Sequence, residues 1–308
     1  SQRFKVTHNY IKMRVFNLDL CRQEHRISPN NQGQSIVTRF LTLFSLIATL
    51  LLVSACNTTQ TRNSDAPVLS RIAQRGELIL GTSANMAPMT YTKEDGTVVG
   101  LDIDVARLMA KSMEVKLTIK TLPFAELLPA LDRGDVDVVI SNMTITTRRN
   151  LQAAFVGPYM TSGKCIITKQ EGLARAEQAE DLNTPETRMA VMEGSTSEDF
   201  VKTLLPRATI TTTGGLQSGV KMVANDEVGG LLTDYPICLS TLKDNPDAGF
   251  VSLFSLLTYE PIGIALPSGD PLFVNWTENF LARMEGTGIL DEIGKHWFGQ
   301  FGAVTHAE

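Results

Sequence analysis

The segment SNMTITTRRN, Ser141–Asn150, places hydroxyls and an amide before two adjacent arginines, without a nucleophile and base. It follows DVDVVIS, a predicted strand, so it lies at a strand's carboxyl end. Thr146 is placed to cap a helix beginning at Thr147, with Arg149 in the first turn. A cation there opposes the helix dipole, and a bound carboxylate would relieve that cost and engage the guanidinium fork. Arg148 points about 100° away, where we expect it to be solvated; alternatively, both arginines are plain surface residues.

Two further segments have polar groups at predicted strand ends. GSTSED, Gly194–Asp199, offers backbone and hydroxyl donors from Ser195 and Thr196 before a helix, although, for this segment taken alone, simple helix capping by Ser195 or Ser197 is the favoured explanation. Asp234, in TDYP, is suited to an ammonium or to capping the next helix. TGGLQSGVK lacks the Gly-Lys pair of a phosphate loop, which argues against a nucleotide site.

Predicted strands and helices alternate along the chain. The first unit reads ELILGTS (strand), GLDIDVARLMAKSM (helix), VKLTIKTL (strand), FAELLPALDRG (helix) and DVDVVIS (strand). A second unit begins near Lys164 with KCIITK and continues in the same manner to HWFG. This alternation predicts a parallel α/β sheet covered by helices, with ligand residues at the carboxyl ends of its strands.

Composition excludes several classes of protein. The 308 residues carry a net charge of −5 and 43% apolar residues, so there is no basic excess for nucleic acid and enough apolar residues for a core. The four histidines lie near the chain ends, and no Cys or His spacing indicates a metal site or a His-based triad. We therefore expect no metal, no cofactor and no nucleic-acid partner.

The N-terminal region predicts export and lipidation. Residues 40–53, FLTLFSLIATLLLV, are shorter than the roughly 20 residues of a membrane span, follow Arg39 and lead into VSAC. We expect residues 37–55 to be a lipoprotein signal peptide, Cys56 to be lipidated and residues 56–67 to be a polar tether; an ordinary signal peptide or a buried helix is the alternative. Residues 1–36 fit no export signal and suggest a misassigned start.

Removal of residues 1–55 makes the protein more acidic. Seven Lys/Arg and two Asp/Glu would be lost, leaving 21 − 31 = −10. An acidic exported protein has no electrostatic attraction to anionic lipid, so its membrane contact would be the acyl chains on Cys56. Cys165 and Cys238 would remain; an oxidising compartment permits a bridge between them, although two free buried cysteines is the reading we favour.

Several motifs occur in an order that resembles the family-3 extracellular solute-binding proteins, the polar amino-acid receptors of ABC importers. They cover most of the chain after the tether: GTSANMAPMTYTKEDGTVVGLDIDVARLMAK, FAELLPALDRGDVDVVISNMTITTRRNLQAAFVGPY, VMEGSTSEDFV, TDYPICLSTLKDNP, EPIGIAL and GTGILDEIGKHWFG. The resemblance implies the two-lobed α/β type II fold of periplasmic binding proteins. Lobe 1 would comprise residues 68–162 and 260–308, lobe 2 residues 163–259, and two hinge strands would let the lobes close over ligand.

The resemblance also implies roles for individual residues. Arg149 would bind the ligand carboxylate with Thr144 and the backbone of Thr196, in the turn that contains Ser195. Asp234 would bind the ammonium with Thr144 and the Asn142 carbonyl, and Phe124 would form a pocket wall.

The side-chain subsite departs from the family pattern at three positions. Met86 and Met89 stand where the family usually has aromatic residues, and methionine adapts to apolar or irregular ligands. Met89 is the better candidate for a core residue. Ser83 stands where some receptors for basic amino acids have an acid, which favours a neutral amino acid.

The expected protein is a monomeric, non-enzymatic component of amino-acid transport that works with an ABC transporter permease. Its expected location is the periplasm or cell surface, anchored to the membrane as a lipoprotein. One alternative is an enzyme resembling cyclohexadienyl or arogenate dehydratases, which would need a general acid in the cleft; Glu193 and Glu126 are nearest in sequence. Another is a ligand-binding sensor, which would need a separate signalling partner because the chain ends soon after HWFG.

Overall fold

The computed structural model describes residues 66–176, 178–253 and 258–299. The predictions for residues 1–36, the signal peptide 37–55, Cys56 and nearly all of the tether lie outside these described residues. Within the described ranges, none of the helices combines the length and apolar character needed to cross a membrane.

The described chain contains ten α-helices and thirteen strands. The first part contains α1 (Pro67–Arg75), β1 (Glu77–Thr82), β2 (Asn85–Met86), β3 (Thr90–Thr92), β4 (Val98–Val99), α2 (Leu101–Ser112), β5 (Lys116–Thr121), α3 (Leu127–Asp132), β6 (Val138–Val139) and β7 (Ala153–Ser162). The middle contains β8 (Lys164–Thr168), α4 (Glu171–Ala174), α5 (Ala179–Leu182), β9 (Arg188–Met192), α6 (Thr196–Leu204), β10 (Thr209–Thr213), α7 (Leu216–Ala224), β11 (Gly230–Asp234), α8 (Tyr235–Asp244) and β12 (Val251–Leu253). The last part contains β13 (Glu260–Pro267), α9 (Pro271–Gly286) and α10 (Ile289–Phe298).

The strands form two five-stranded sheets, one for each lobe of a type II fold. The first has the order β5-β1-β6-β13-β7, the second has the order β10-β9-β11-β8-β12, and β2, β3 and β4 form a small separate sheet. The predicted α/β class and two-lobed architecture are confirmed.

Neither large sheet is wholly parallel, which corrects the prediction of a parallel sheet. In the first, β1 is parallel to β5 and β6, whereas β13 is antiparallel to β6 and β7. In the second, β9 is parallel to β10 and β11, whereas β8 is antiparallel to β11 and β12. The chain passes from the first sheet to the second between β7 and β8, through Gly163, and it returns to the first sheet at β13. The strands at these two connections, β8 and β13, are the ones that run antiparallel to their neighbours.

The elements form where burial and capping agree. Strand β8 is buried at every position and packs beneath helices, whereas β5 at an edge is half-exposed. Asp270 caps α9 by accepting from the Phe273 N–H at 2.9 Å, and it also accepts from the Val68 N–H at 2.8 Å. This buried carboxylate therefore fixes the start of α1 against the start of α9. Both helix starts lie at the edge of the first sheet opposite to the carboxyl ends of β1 and β6.

Candidate functional site

Polar residues from both sheets meet at the carboxyl ends of the strands. Ser83 follows β1, Asn142 follows β6, Ser195 follows β9, and Asp234 ends β11. The two lobes are in direct contact there, because the Asn142 Nδ2 donates to Asp234 Oδ2 at 2.7 Å. The structure thus brings the predicted segments together in one cleft between the lobes.

Arg149 is on the lobe 1 side of the cleft. Its Nη1 donates to the Thr144 carbonyl at 2.7 Å, and its Nη2 donates across the cleft to the Gly194 carbonyl at 3.1 Å. The guanidinium carbon lies 5.5 Å from the centre of the Phe124 ring, a cation–π contact. Burial lowers the pKa of Arg149, while the charges of Asp199, Asp234 and Glu260 act in the opposite direction; the guanidinium remains charged at neutral pH.

The helix predicted from Thr147 is a turn followed by a single 3₁₀ turn, Arg149–Leu151. Thr146 accepts from the Arg149 N–H at 3.1 Å, as the capping argument required. So short an element has little macrodipole, however, so the predicted dipole cost of Arg149 does not apply.

Arg148 is exposed, but it is not simply solvated as predicted. Its Nη1 lies 2.9 Å from Asp199 Oδ1, and Asp199 belongs to α6 in the other lobe. An exposed pair of this kind contributes about 0–1 kcal/mol, so it is a weak link across the cleft rim.

Asp234 lies opposite Arg149 in the cleft and is already paired with a lysine of its own chain. Lys164 Nζ donates to Asp234 Oδ1 at 2.6 Å and to Thr196 Oγ1 at 2.6 Å. The two residues are register partners in the antiparallel β8–β11 pair. Asp234 occupies the N-cap position of α8, but its side chain makes no capping bond to the helix.

Glu260 completes the polar cluster from the hinge. Its Oε2 accepts from Thr144 Oγ1 at 2.8 Å and from Thr196 Oγ1 at 3.0 Å, and it lies 3.5 Å from Lys164 Nζ. Burial raises the pKa of Glu260, but the Lys164 charge and the donated hydroxyl bonds outweigh burial and lower it overall. Lys164 and Glu260 are the site residues that sequence reasoning missed. The sequence feature that could have indicated Lys164 is its position directly before the apolar residues CII in a predicted strand.

Asn142 has a strained backbone and an incompletely bonded side chain. Its φ is 48°, in the left-handed region that asparagine tolerates better than most residues. Its N–H donates to Asp102 Oδ2 at 2.7 Å, and the other Asp102 oxygen accepts from the Tyr159 hydroxyl at 2.7 Å. Among the described residues, none bonds to the buried Asn142 Oδ1, which is therefore an acceptor next to Asp234.

The remaining predicted residues occupy three kinds of position: a helix cap, the buried core and the wall of a cavity. Ser195 caps α6 by accepting from the Glu198 N–H at 3.2 Å, as its plainer interpretation required. Ser83 is buried and bonded to Ser141, and Met89 is a core residue. Met86 faces lobe 2, where it lines a cavity of about 20 Å³ with Met192, Leu216, Thr213 and Asp234.

Two glycines allow the lobes to approach this closely. Gly194 has a φ of +73°, and a Cβ there would lie 3.0 Å from the Cα of Ala125 in the other lobe. At Gly215 a Cβ would lie 2.6 Å from Asn85 Nδ2, which donates across the cleft to the Gly214 carbonyl. The lobes are therefore closed in this structure, with backbone contacts that a larger residue would obstruct.

The structure bridges Cys165 and Cys238, so the interpretation of two free cysteines was wrong. Their Cα atoms are 6.6 Å apart, within the range that a disulfide spans. Cys165 follows Lys164 in β8, and Cys238 lies in the first turns of α8 just after Asp234. The bridge thus holds the strand that carries Lys164 against the helix that follows Asp234.

In the part of the chain that the structure describes, no cluster of three or more histidine, cysteine, aspartate or glutamate side chains is placed to hold a metal ion.

Comparison with known proteins agrees with the geometry of the cleft. The model of the bacterial extracellular solute-binding proteins, family 3, matches residues 78–300, which is most of the chain. The chain belongs to this family. The match includes the strands of both large sheets, apart from the first residue of β1, and all the cleft residues described above.

Individual relatives are distant but nearly full in length. A probable histidine-binding protein of Neisseria gonorrhoeae is 28% identical over 264 residues, covering 84% of this chain and 95% of that protein. A crystal structure of the ancestral amino acid-binding protein AncCDT-1, a precursor of cyclohexadienyl dehydratase, superposes with a TM-score of 0.70 at 34% identity, covering 75% of this chain and 99% of that one.

Binding proteins and an enzyme both occur among the relatives. Most of the curated relatives found are named as amino-acid-binding proteins. Cyclohexadienyl dehydratase of Pseudomonas aeruginosa is 25% identical over 229 residues, covering 74% of this chain and 85% of that protein. Family membership alone therefore does not separate binding from catalysis.

Proposed function

We propose that this protein is the extracytoplasmic substrate-binding component of an ABC importer and that it binds an amino acid between its two lobes. The observation that carries the proposal is that one cleft holds opposite charges on its two sides, Arg149 on the lobe 1 side and Asp234 on the lobe 2 side. A zwitterion needs a cation at one end and an anion at the other. Relatives named for histidine, cystine, glutamine and arginine binding support the substrate class.

Arg149 has the donors to hold a carboxylate without losing its present bonds. A guanidinium has five N–H groups, and the bonds to the Thr144 and Gly194 carbonyls use two of them. Three remain, and a bidentate carboxylate needs two. The Thr196 N–H, at the start of α6, is assigned as an additional donor. The Thr144 hydroxyl would join it only by turning away from its present acceptor, Glu260.

The ammonium is assigned to the side of the cleft that holds Asp234. Asp234 oxygens each accept one bond at present, and a carboxylate oxygen can accept two. The unpaired Asn142 Oδ1 and the Asn142 backbone carbonyl are further acceptors for an ammonium. These acceptors, together with the Thr144 hydroxyl, outnumber the three N–H donors of an α-ammonium, so each donor has an acceptor.

The side-chain subsite is assigned to Ser83, Met86 and Phe124. The small cavity beside Asp234 is lined by two methionines, three leucines and four serine or threonine residues, and Asp234 is the charged residue in its lining, which supports a neutral side chain. Ser83 is bonded to Ser141 and brings no negative charge to attract a basic side chain.

Catalysis is the second candidate, and the state of the carboxylates argues against it. A dehydratase needs a general acid that is protonated at working pH. Glu193 and Glu126 are exposed, and the pKa of the cleft carboxylate Glu260 is lowered, not raised. Asp102, whose pKa is raised, is fully buried, and its two oxygens are bonded to the Asn142 N–H and the Tyr159 hydroxyl. We therefore propose a binding protein that needs no cofactor.

The proposal includes the processing and assembly of the protein. We assign lipidation to Cys56 after removal of residues 37–55, an anchored position at the cell surface or in the periplasm, and delivery of ligand to a membrane permease as a monomer. The proposed lobe limits are residues 68–162 and 260–308 for lobe 1 and residues 163–259 for lobe 2. The sheets support these limits, since β1–β7 and β13 lie on one side and β8–β12 on the other.

Calorimetry of the purified protein tests the function. The protein is titrated with each common amino acid, and with prephenate and arogenate. We expect saturable binding of at least one amino acid with no turnover. Loss of a hit by conversion, followed chromatographically, would instead favour the enzyme, and no binding by any amino acid would refute the proposal.

A further inference from the structure

Lys164 is a buried ammonium within the binding cleft. It begins β8, and its side chain is 1% exposed. Removing an ammonium from water is costly unless anions and hydrogen-bond acceptors replace the water. The charge of Lys164 is thus tied to whatever surrounds it in the cleft.

Two carboxylates surround this lysine. Asp234 Oδ1 lies 2.6 Å from Lys164 Nζ, and Glu260 Oε2 lies 3.5 Å from it. Thr196 Oγ1 accepts a further bond from Nζ at 2.6 Å, and Thr196 also donates to Glu260. Lys164 therefore neutralises one of two anions, and these three charges form a single bonded unit.

Arg149 completes an electrically balanced site. Its guanidinium is connected to the same unit through Thr144, whose carbonyl accepts from Arg149 and whose hydroxyl donates to Glu260. The sum is two cations, Arg149 and Lys164, against two anions, Asp234 and Glu260. Arg148 and Asp199 at the rim pair with each other and add no net charge.

We propose that Lys164, balanced by Glu260, sets the ligand specificity by excluding amino acids with a charged side chain. This inference rests on the proposed function and deepens it. A zwitterion with a neutral side chain adds no net charge to a balanced site. A basic or acidic side chain adds a charge without a partner, which is unfavourable where water is excluded. Without Lys164, the same cleft would carry one net negative charge and favour a basic amino acid.

A charge series in the protein tests the assignment against pairs of matched ligands. Lys164→Met gives the site a net charge of −1, Glu260→Gln gives +1, and the double variant restores zero. Lys169→Met is the control, because Lys169 lies just beyond the same strand and pairs with the exposed Asp226. Arginine is compared with its neutral counterpart citrulline, and glutamate with glutamine, by calorimetry at fixed salt.

The expected results have opposite signs in the two single variants. The affinity for arginine relative to citrulline rises at least tenfold in Lys164→Met, which is about 1.4 kcal/mol. The affinity for glutamate relative to glutamine rises by about as much in Glu260→Gln. Both ratios return to the wild-type values in the double variant and are unchanged in Lys169→Met. Circular dichroism establishes whether each variant is folded. If Lys164→Met does not fold, Glu260→Gln and the double variant test the proposal.

The failure of this inference is separable from failure of the proposed function. If the wild-type protein binds an amino acid but the ratios do not move with the charge series, Lys164 is not the specificity determinant and the proposed function stands. If the wild-type protein binds no amino acid, the proposed function itself is refuted.

Discussion

Asp102 offers a pH-dependent test of how the cleft is held in shape. This fully buried carboxylate near the start of α2 accepts from the Asn142 N–H and from the Tyr159 hydroxyl. Burial raises its pKa, the two donated bonds lower it, and the net result is a pKa of about 7 in place of 3.8. Asp102 therefore supports the strained backbone that carries the Asn142 side chain to Asp234.

The sign of the effect follows from proton binding. Between pH 4 and 7 the native protein holds a proton on Asp102 that the unfolded chain has released, so the free energy of unfolding falls as pH rises. The gap between 3.8 and about 7 corresponds to about 4 kcal/mol, fully lost above pH 7. Asp102→Asn keeps a hydrogen-bonding group of the same shape and removes this titration.

Urea denaturation of the wild type and of Asp102→Asn, at pH steps from 4 to 8, measures the difference directly. We expect the free energy of unfolding of the wild type to fall, relative to that of the variant, by up to about 4 kcal/mol across this range. Carboxylates other than Asp102 titrate in both proteins and cancel in the comparison. Parallel pH profiles for the two proteins would refute the assignment of a raised pKa to Asp102.

Two further predictions concern lobe closure and the disulfide. Gly194→Ala is expected to weaken amino-acid binding at least tenfold, because its Cβ would meet Ala125 across the cleft. Gly249→Ala is the control, because Gly249 has a similar φ of +69° with open space around it. It should lower the free energy of unfolding about as much as Gly194→Ala does, by roughly 1 kcal/mol, and leave the affinity unchanged. Equal affinities of the two variants in calorimetry would contradict the closure argument. Replacing Cys165 and Cys238 with serine should lower the free energy of unfolding by about 4 kcal/mol, given the 73-residue separation, and a urea midpoint equal to that of the wild type would exclude a bridge.

The elements of the site were predictable because each motif is local. A strand followed by small polar residues and a helix start is recognisable in sequence, and such a pattern located Arg149, Thr146, Ser195 and Asp234. Their convergence follows from the geometry of α/β sheets, in which strand carboxyl ends face one side.

The missed features depend on contacts between distant segments. Lys164 at the head of a strand resembles an ordinary edge lysine, and only the register of β8 with β11 places it beside Asp234. Glu260 lies 116 residues from Thr144, and Thr144 meets it because residues 143–145 pair with β13. The antiparallel crossings from β7 to β8 and into β13 were also missed, since strand and helix alternation carries no information on strand direction.

The most direct test of the central claim compares the two adjacent arginines. Arg149 is half-buried in the cleft and assigned to the ligand carboxylate, whereas Arg148 is exposed at the rim. Using the amino acid that binds the wild-type protein, calorimetry of Arg149→Gln should show affinity reduced by about 100-fold or more, from the loss of a charged bidentate contact, and Arg148→Gln should bind within about threefold of the wild type. Equal affinity of Arg149→Gln and the wild type would contradict the account.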